Sequence, residues 1–230
     1  MRSTRAFSLV ELLVVIAVIA LLTGISLPVI QKVKERAKAA VCNSNMREIG
    51  FAASAYAEEW NLLIPRGSKR DVKPWYQLFM PYLAQRPVGN DYRNVKAYRC
   101  PSYPEKRQTV CYVVNAWAFS SEDDMVGYEI TKATKLTECR RRSETIYLAD
   151  NEYGSWRPII RRATDPGIER CDVWYREHLP DSVVEDGLFG RRVARDRHRK
   201  GSNCLYLDWH VGWVAMKDMT LDMWRFDIVR

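Results

Sequence analysis

The residues best suited to chemistry in this sequence are two histidines and a carboxylate near its C-terminal end. His198, Asp208 and His210 lie within one short segment. Imidazole nitrogens and carboxylate oxygens are ligands that divalent metals take in proteins. These three side chains are therefore candidate metal ligands, with Asp150 or Asp196 as a further acidic neighbour. The simpler interpretation is that His198 hydrogen-bonds Asp208 or a backbone group and holds a hairpin against the core.

A nucleophilic site in the same segment is less well supported. Cys204, His198 and Asp208 together have the residue types of a nucleophilic triad. However, strand alternation places Cys204 and Leu207 on opposite faces, and no neighbouring residue would activate the thiol. The sequence also contains no glycine-rich phosphate loop and no paired-carboxylate motif. It therefore predicts a protein that is not an enzyme.

Six cysteines are spread along the chain, and none forms the CxxC spacing of a zinc or redox site. Sequence alone does not decide which of them pair. They are Cys42, Cys100, Cys111, Cys139, Cys171 and Cys204.

One charged residue, Glu11, interrupts an otherwise apolar stretch from Phe7 to Ile30. About 20 apolar residues suffice to cross the ~30 Å hydrocarbon core of a bilayer as a helix. The stretch is too long for the apolar region of a secretory signal peptide, which leaves a plain membrane anchor or a helix with a further role. A carboxylate inside such a helix costs a few kcal/mol on insertion scales. Glu11 is therefore expected to have a partner.

The segment Arg5-Ala6-Phe7-Ser8-Leu9-Val10-Glu11, with the apolar run that follows, resembles the N-terminus of type IV prepilins and type II secretion pseudopilins. The resemblance implies that prepilin peptidase cleaves between Ala6 and Phe7 and methylates the new amine of Phe7. It also implies that Glu11 neutralises the N-terminal amine of a neighbouring subunit. Ala6 stands where the family usually has Gly. Because alanine is also small, we expect cleavage to occur.

The helix is expected to continue beyond the membrane segment. Gly24 and Pro28 predict a kink or local loosening, since proline removes a backbone donor. From residue 31 the pattern becomes amphipathic, with apolar residues at spacings of three and four up to Trp60. This face is predicted to pack on the head domain, over a helix of roughly 80 Å in all.

The C-terminal segment reads as a β-hairpin over residues 203–214, with Asp208-Trp209 as its turn. Trp209 occupies a position where glycine is expected, so the turn is either strained or longer than two residues. The segment resembles the C-terminal signature of a large group of prepilin-like proteins, a His, nine residues, then Asp-Gly-His. His198, Asp208 and His210 keep that spacing, and Trp209 stands where the signature has Gly.

The same group resembles this chain in three further places, at Val41-Cys42-Asn43, at Cys100-Pro101-Ser102 and at the strand Ser143–Asp150. The resemblance implies a disulfide between Cys42 and Cys100, which would tie the helix to the head. Some related pseudopilins bind calcium in the head, although calcium prefers oxygen ligands. We therefore expect no cofactor, with a divalent metal such as calcium left open.

The formal net charge is +8, and much of it is arginine. A basic surface attracts nucleic acid, acidic polysaccharide or anionic lipid without specificity. Arg2 and Arg5 precede the apolar run, so the N-terminus is expected to stay in the cytoplasm and the head to be exported. This predicts a single-pass inner-membrane protein whose head is periplasmic, or extracellular in a filament.

Together these patterns predict an α+β, pilin-like fold, with a long N-terminal helix packed on a head that contains an antiparallel sheet. The expected segments are a leader (1–6), a transmembrane assembly helix (7–30), an amphipathic continuation (31–64) and a head (65–230). The expected function is that of a pseudopilin or minor pilin in a type II secretion or type IV pilus-like filament. Its expected partners are like subunits, prepilin peptidase, the inner-membrane assembly platform and membrane lipid. The alternative is an anchored binding module whose basic head captures DNA or an acidic polymer.

Overall fold

The computed structural model describes residues 8–67, 73–130, 132–154, 157–162, 164–185 and 187–226. Compact units divide the chain at Lys38 and Ala39. The first unit is Met1–Lys38 and the second is Ala39–Arg230, so the boundary falls inside the long helix. The predicted segment bounds stay predictions. The predicted leader, 1–6, lies outside the described residues.

The chain forms a long helix followed by a head of short helices and strands, which is the predicted α+β, pilin-like architecture. The helices are α1 (Leu9–Glu59) and α2 (Trp75–Leu78). The strands are β1 (Leu63–Ile64), β2 (Tyr112–Asn115), β3 (Trp117–Ala118), β4 (Tyr128–Glu129), β5 (Thr134–Lys135), β6 (Ile146–Asp150), β7 (Asp172–Val173), β8 (Gly201–Tyr206) and β9 (Val211–Ala215). Single 3₁₀ turns cover Met80–Tyr82, Tyr92–Asn94, Lys96–Tyr98, Leu136–Glu138, Ile168–Cys171, Arg176–His178, Met216–Asp218 and Leu221–Trp224.

The main sheet has five strands in the order β7-β2-β6-β8-β9. Its pairs are antiparallel except β2 with β7, which is parallel, so the sheet is mixed rather than purely antiparallel. Two smaller sheets pair β1 with β5 and β3 with β4. The segments predicted as strands, residues 111–119 and 143–150, supply β2, β3 and β6 of these sheets.

Both faces of the main sheet are covered, so its central strands are buried throughout. Successive side chains of β8 point to opposite faces of the sheet, so Leu205 belongs to one apolar cluster and Cys204 to the other. The first cluster contains the head-side face of α1, and the second contains Trp117 and Trp224. The buried residues of α1 are Cys42, Met46, Ile49, Gly50, Ala52, Ala53, Tyr56 and Ala57, as their helical spacing predicts.

The C-terminal hairpin is longer than predicted. β8 and β9 pair from Gly201 with Ala215 to Leu205 with Val211, and a four-residue turn joins them. Trp209 in that turn has φ +72°, so the turn is both longer than two residues and strained. The Trp209 ring packs edge-on against Tyr147, with the centroids 6.0 Å apart. This contact explains why a large aromatic residue occupies a glycine-like position.

α1 lies close to the hairpin at Gly50. A Cβ atom at this position would lie 3.0 Å from Leu205 Cδ1 and 3.2 Å from the backbone oxygen of Trp209. Both distances are shorter than ordinary van der Waals contact. The absence of a side chain at Gly50 therefore sets how near the helix comes to β8.

Gly50→Val is expected to lower the free energy of unfolding of the head by about 2 kcal/mol, because the branched side chain overpacks this contact. The matched control is Phe51→Val, since Phe51 is exposed and its replacement should change the stability by less than about 0.5 kcal/mol. Urea unfolding of the detergent-solubilised protein, followed by tryptophan fluorescence, measures both. Equal midpoints for the two variants would show that the close contact is absent.

Candidate functional site

The first described turn of α1 is a reciprocal capping box. The backbone N–H of Val10 donates to Ser8 Oγ at 3.3 Å, and the backbone N–H of Ser8 donates to Glu11 Oε2 at 2.9 Å. Ser-x-x-Glu is the sequence form of this motif, and it satisfies amides that the helix leaves without partners. Glu11 thus already has a partner within its own chain. The predicted cleavage site, Ala6 and Phe7, lies outside the described residues.

Gly24 and Pro28 both lie inside α1, which is continuous through them. Proline at position 28 removes the N–H that would bond to the carbonyl of Gly24, four residues earlier. Upstream of it, the hydroxyl of Thr23 donates to the carbonyl of Ile19 at 2.8 Å, and that of Ser26 to the carbonyl of Leu22 at 2.7 Å. The predicted loosening at Gly24 and Pro28 stays a prediction.

The apolar part of α1 is long and apolar enough to cross a membrane, and it is not buried against any described part of the chain. Its large side chains are typically about half exposed or more, as at Leu9 with 79%. They are Leu9, Val10, Leu12, Leu13, Val14, Val15, Ile16, Val18, Ile19, Leu21, Leu22, Ile25, Leu27, Val29, Ile30 and Val33. A surface this apolar indicates membrane anchoring by a single helix.

The hairpin residues predicted to converge lie at opposite ends of the hairpin. Asp208 and His210 are at the turn, where Asp208 Oδ1 and His210 Nδ1 are 2.6 Å apart on an exposed surface. His198 precedes β8 at the other end, and its backbone N–H donates to the carbonyl of Gly201. The six residues of β8 span roughly 20 Å. The structure therefore does not bring His198 together with Asp208 and His210, as the predicted metal site requires.

His198 instead lies in a buried cluster with Cys42, Cys100 and Asp150. One donor atom from each of the four residues lies within 4.8 Å of all the others. Cys42 Sγ is 3.3 Å from Asp150 Oδ1, Cys100 Sγ is 3.4 Å from His198 Nε2, and His198 Nε2 is 3.6 Å from Asp150 Oδ2. We call these four residues the Cys-Cys-Asp-His cluster.

Each member of the cluster comes from a different part of the head. Cys42 is on α1, Cys100 follows the 3₁₀ turn Lys96–Tyr98, Asp150 ends β6, and His198 precedes β8. Each also lies in one of the four segments whose sequences resemble the prepilin-like group. The structure thus brings together residues that the sequence offered separately.

Three neighbours hold the cluster segments in place. The Asn45 side chain, one turn after Cys42, donates to the carbonyl of Arg99 at 2.7 Å and so fixes the loop that carries Cys100. The backbone N–H of Asn203 donates to Asp150 Oδ2 at 2.7 Å. Trp213 Nε1 donates to the carbonyl of His198 at 2.6 Å. Helix, loop and hairpin are each fixed by a hydrogen bond that a residue outside the cluster donates.

The electrostatics of the cluster favour charge on one sulfur and on the imidazole. The hydrogen bond from Cys42 lowers the pKa of the Cys100 thiol to about 5 against the effect of burial, with a further contribution from His198. That same hydrogen bond and burial raise the pKa of Cys42. Burial raises the pKa of Asp150 to about 7. For His198, burial lowers the pKa, but Cys100 and Asp150 outweigh it and raise the pKa overall.

The geometry does not fit a catalytic triad. In a triad the nucleophile and the carboxylate contact opposite nitrogens of the imidazole. Here Cys100 Sγ and Asp150 Oδ2 both approach His198 Nε2. Donor atoms that converge from several sides are instead typical of a metal site, and these four residues could hold a soft divalent ion. The thiol at Cys204 is a poor nucleophile, because burial raises its pKa.

The Cys42–Cys100 disulfide implied by the resemblance is not formed in this structure. Both residues are thiols, and they share a hydrogen bond. The two thiols lie together as the resemblance implies, with Asp150 and His198 as further neighbours.

His178 is a buried, titratable residue that the sequence analysis did not single out. Its Nδ1 accepts the N–H of Trp174 at 3.2 Å and its Nε2 lies 3.1 Å from the carbonyl of Leu188, which requires one protonated nitrogen and a neutral ring. Burial, with the charge of Arg192, lowers the pKa of His178 to about 2. No spacing in the sequence distinguishes this buried histidine from an exposed one.

Five arginines that contribute to the net charge are buried rather than displayed on the surface: Arg66, Arg157, Arg191, Arg192 and Arg225. Arg225, for example, donates to the carbonyls of Glu122 at 2.9 Å and Asp124 at 2.7 Å. Burial lowers the pKa of Arg66 to about 10. These guanidinium groups satisfy backbone carbonyls, some at strand residues and some in irregular segments, so the basic surface is smaller than the sequence charge implies.

Residues 1–27 match the family model described as the prokaryotic N-terminal methylation motif. This match, with the apolar α1, is what a pilin-like protein carries, and it indicates a prepilin-like substrate of prepilin peptidase. The motif belongs to structural proteins rather than enzymes. In comparisons with curated proteins and with solved structures, none matches this chain.

We expect the neutral His178 ring to make stability depend on pH. The unfolded chain takes up a proton near pH 6.5, whereas the folded chain does so only near pH 2, so this stabilisation is complete above about pH 6.5 and declines below it. Between roughly pH 5.5 and 4.5, wild type should lose about 1.4 kcal/mol per pH unit more than His178→Gln, and about half of that slope is expected near pH 6.5. Urea unfolding across this range measures the slope.

The control is Phe51→Val, an exposed substitution that removes no titratable group. Its slope should equal that of wild type. If His178→Gln also kept the wild-type slope, the ring would not be held neutral by the fold.

Proposed function

We propose that this protein is a filament subunit of the pseudopilin or minor-pilin class, serving a type II secretion system or a type IV pilus-like assembly. The observation that carries the proposal is the exposed apolar surface of α1 with Glu11 at its start. A simple anchor needs only the apolar surface. The carboxylate adds a cost in the bilayer that a contact with a neighbouring subunit would offset.

The capping box explains how a single molecule keeps Glu11 in the bilayer before assembly. A carboxylate in an apolar medium needs hydrogen bonds, and the Ser8 amide and the positive end of the helix supply them. A carboxylate has two oxygens, so accepting one amide does not exhaust it. In the filament, Glu11 would also accept the methylated amine that cleavage creates on Phe7 of a neighbour.

The proposed partners follow from this arrangement. Prepilin peptidase would act at Ala6 and Phe7, the assembly platform of the inner membrane would add subunits, and like subunits would cover the apolar helix. Arg2 and Arg5 favour a cytoplasmic N-terminus and an exported head. The head would serve as a surface or tip element of the filament.

The processed protein is expected to begin at Phe7 and to carry one added methyl group. Intact-mass spectrometry of the membrane-extracted protein measures this directly. The control is Phe7→Ser in the same host, which should reduce processing if the apolar residue after the cleavage site is recognised. A mature mass that starts at Met1 would exclude prepilin-type assembly.

Glu11→Gln is expected to insert into the membrane normally but to be depleted from filaments by at least ~10-fold. The amide oxygen can still accept the Ser8 N–H, so the start of the helix is preserved while the charge is lost. Loss of one charge-assisted bond of ~1.5–3 kcal/mol accounts for that factor. Quantitative immunoblots of membranes and of sheared filaments measure both pools.

Glu35→Gln is the matched control, since it makes the same change in the same helix at an exposed carboxylate paired with Lys38. It should enter filaments as wild type does. Equal incorporation of Glu11→Gln and Glu35→Gln would show that the charge of Glu11 has no role in assembly.

A further inference from the structure

The Cys-Cys-Asp-His cluster has the dimensions of a tetrahedral metal site. With zinc-to-ligand bonds of about 2.0–2.3 Å, neighbouring ligand atoms of a tetrahedron lie about 3.3–3.8 Å apart. Cys42 Sγ and Asp150 Oδ1 are 3.3 Å apart, and Cys100 Sγ and His198 Nε2 are 3.4 Å apart, so both separations fall in that range. We propose that Cys42, Cys100, Asp150 and His198 bind one zinc ion in the folded head.

The convergence on one nitrogen argues for an ion rather than for hydrogen bonds alone. A single Nε2 carries at most one proton, so it cannot donate well to both Cys100 Sγ and Asp150 Oδ2. A cation between the four groups satisfies all of them at once. Calcium is a poor match, because it prefers six to eight oxygen ligands and this cluster offers one carboxylate.

The local charges are also suited to zinc. Two thiolates and a carboxylate around a divalent ion leave one net negative charge. Arg197, one residue before His198, donates to the carbonyl of Asn151 at 2.7 Å. The guanidinium would balance the remaining charge of the loaded site.

The surroundings of the cluster supply the outer contacts that metal sites use. Asp150 Oδ2 is already bonded to the Asn203 amide, which leaves Oδ1 for the ion. The turn after His198 contains Arg199 and Lys200 at φ +59° and +62°. Two adjacent non-glycine residues in the left-handed region are costly, and such strain is typical of sites where a ligand fixes the backbone.

A cleft of about 510 Å³ gives an ion a path to the cluster. His198 lines it, together with Asn43, Arg47, Asn203 and Trp213. The site is otherwise buried, since all four ligand residues are no more than 4% exposed. Four protein ligands and no open position are typical of a structural zinc rather than a catalytic one. The ion would join α1, the Cys100 loop, β6 and the segment before β8.

The decisive experiment measures the metal content of the full-length protein, isolated in detergent without added oxidant or chelator. Inductively coupled plasma mass spectrometry should find about one zinc per chain. Replacement by Co²⁺ should produce the visible bands of tetrahedral cobalt and a thiolate-to-metal charge-transfer band. Thiol counting on the denatured, unreduced protein should find Cys42 and Cys100 both alkylated.

Variants then assign the ion to the cluster. Cys100→Ser and His198→Gln should each lower the bound zinc at least ~10-fold. Cys139→Ala is the matched control, because it removes a buried cysteine outside the cluster and should keep the full zinc content. If a ligand variant fails to fold, the zinc content and the cobalt spectrum of wild type still test the proposal.

Three results would overturn the proposal. The first is wild-type protein with neither bound zinc nor a cobalt spectrum. The second is a Cys42–Cys100 disulfide in the isolated protein. The third is zinc that persists in both Cys100→Ser and His198→Gln, which would place the ion elsewhere.

Discussion

The close approach of α1 to β8 is the contact on which the head depends. It requires Gly50, because the backbone of Trp209 and the side chain of Leu205 lie where a Cβ atom and its substituents would extend. About two helical turns earlier on the same face, Cys42 consequently reaches Asp150 at the end of β6. A small residue in the helix thus fixes the distance between the helix and the sheet, and that distance brings the Cys-Cys-Asp-His cluster together.

Local patterns in the sequence were sufficient for much of the fold. The period of the apolar residues gave the long helix and its buried face, and β-branched and aromatic runs gave β2, β6 and the hairpin. Local patterns could not predict the Cys-Cys-Asp-His cluster, because its members Cys42, Cys100, Asp150 and His198 are each roughly fifty residues apart and share no local spacing. His198 was paired with Asp208 because they belong to one hairpin, but an extended strand separates residues that are near in sequence. Only the topology of the sheet shows which distant residues meet.

The arginines show why composition alone misjudged the surface. Carbonyl groups at the ends of short strands and in irregular segments, such as those between β3 and β4 and between β6 and β8, need donors from side chains. A guanidinium offers five N–H groups in a fixed plane and suits this task better than a lysine. Arg66, Arg192 and Arg225 each bond to backbone carbonyls and stack on aromatic rings. These three guanidinium groups contribute to the net charge of the sequence, but they lie in the interior of the head.

The order of the elements along the chain has a consequence for biosynthesis. α1 leaves the ribosome first, whereas β8 and β9, which complete the sheet beneath it, leave last. Contacts between elements so distant in sequence form slowly, because loop closure must precede any gain from packing. Part of the buried face of α1 is covered early, since Tyr56 packs against Phe79 and Tyr82 with ring centroids 5.4 and 5.9 Å apart. The contact of Gly50 with Leu205 and Trp209 forms last, so the hairpin closes over the helix only when synthesis of the head is nearly complete.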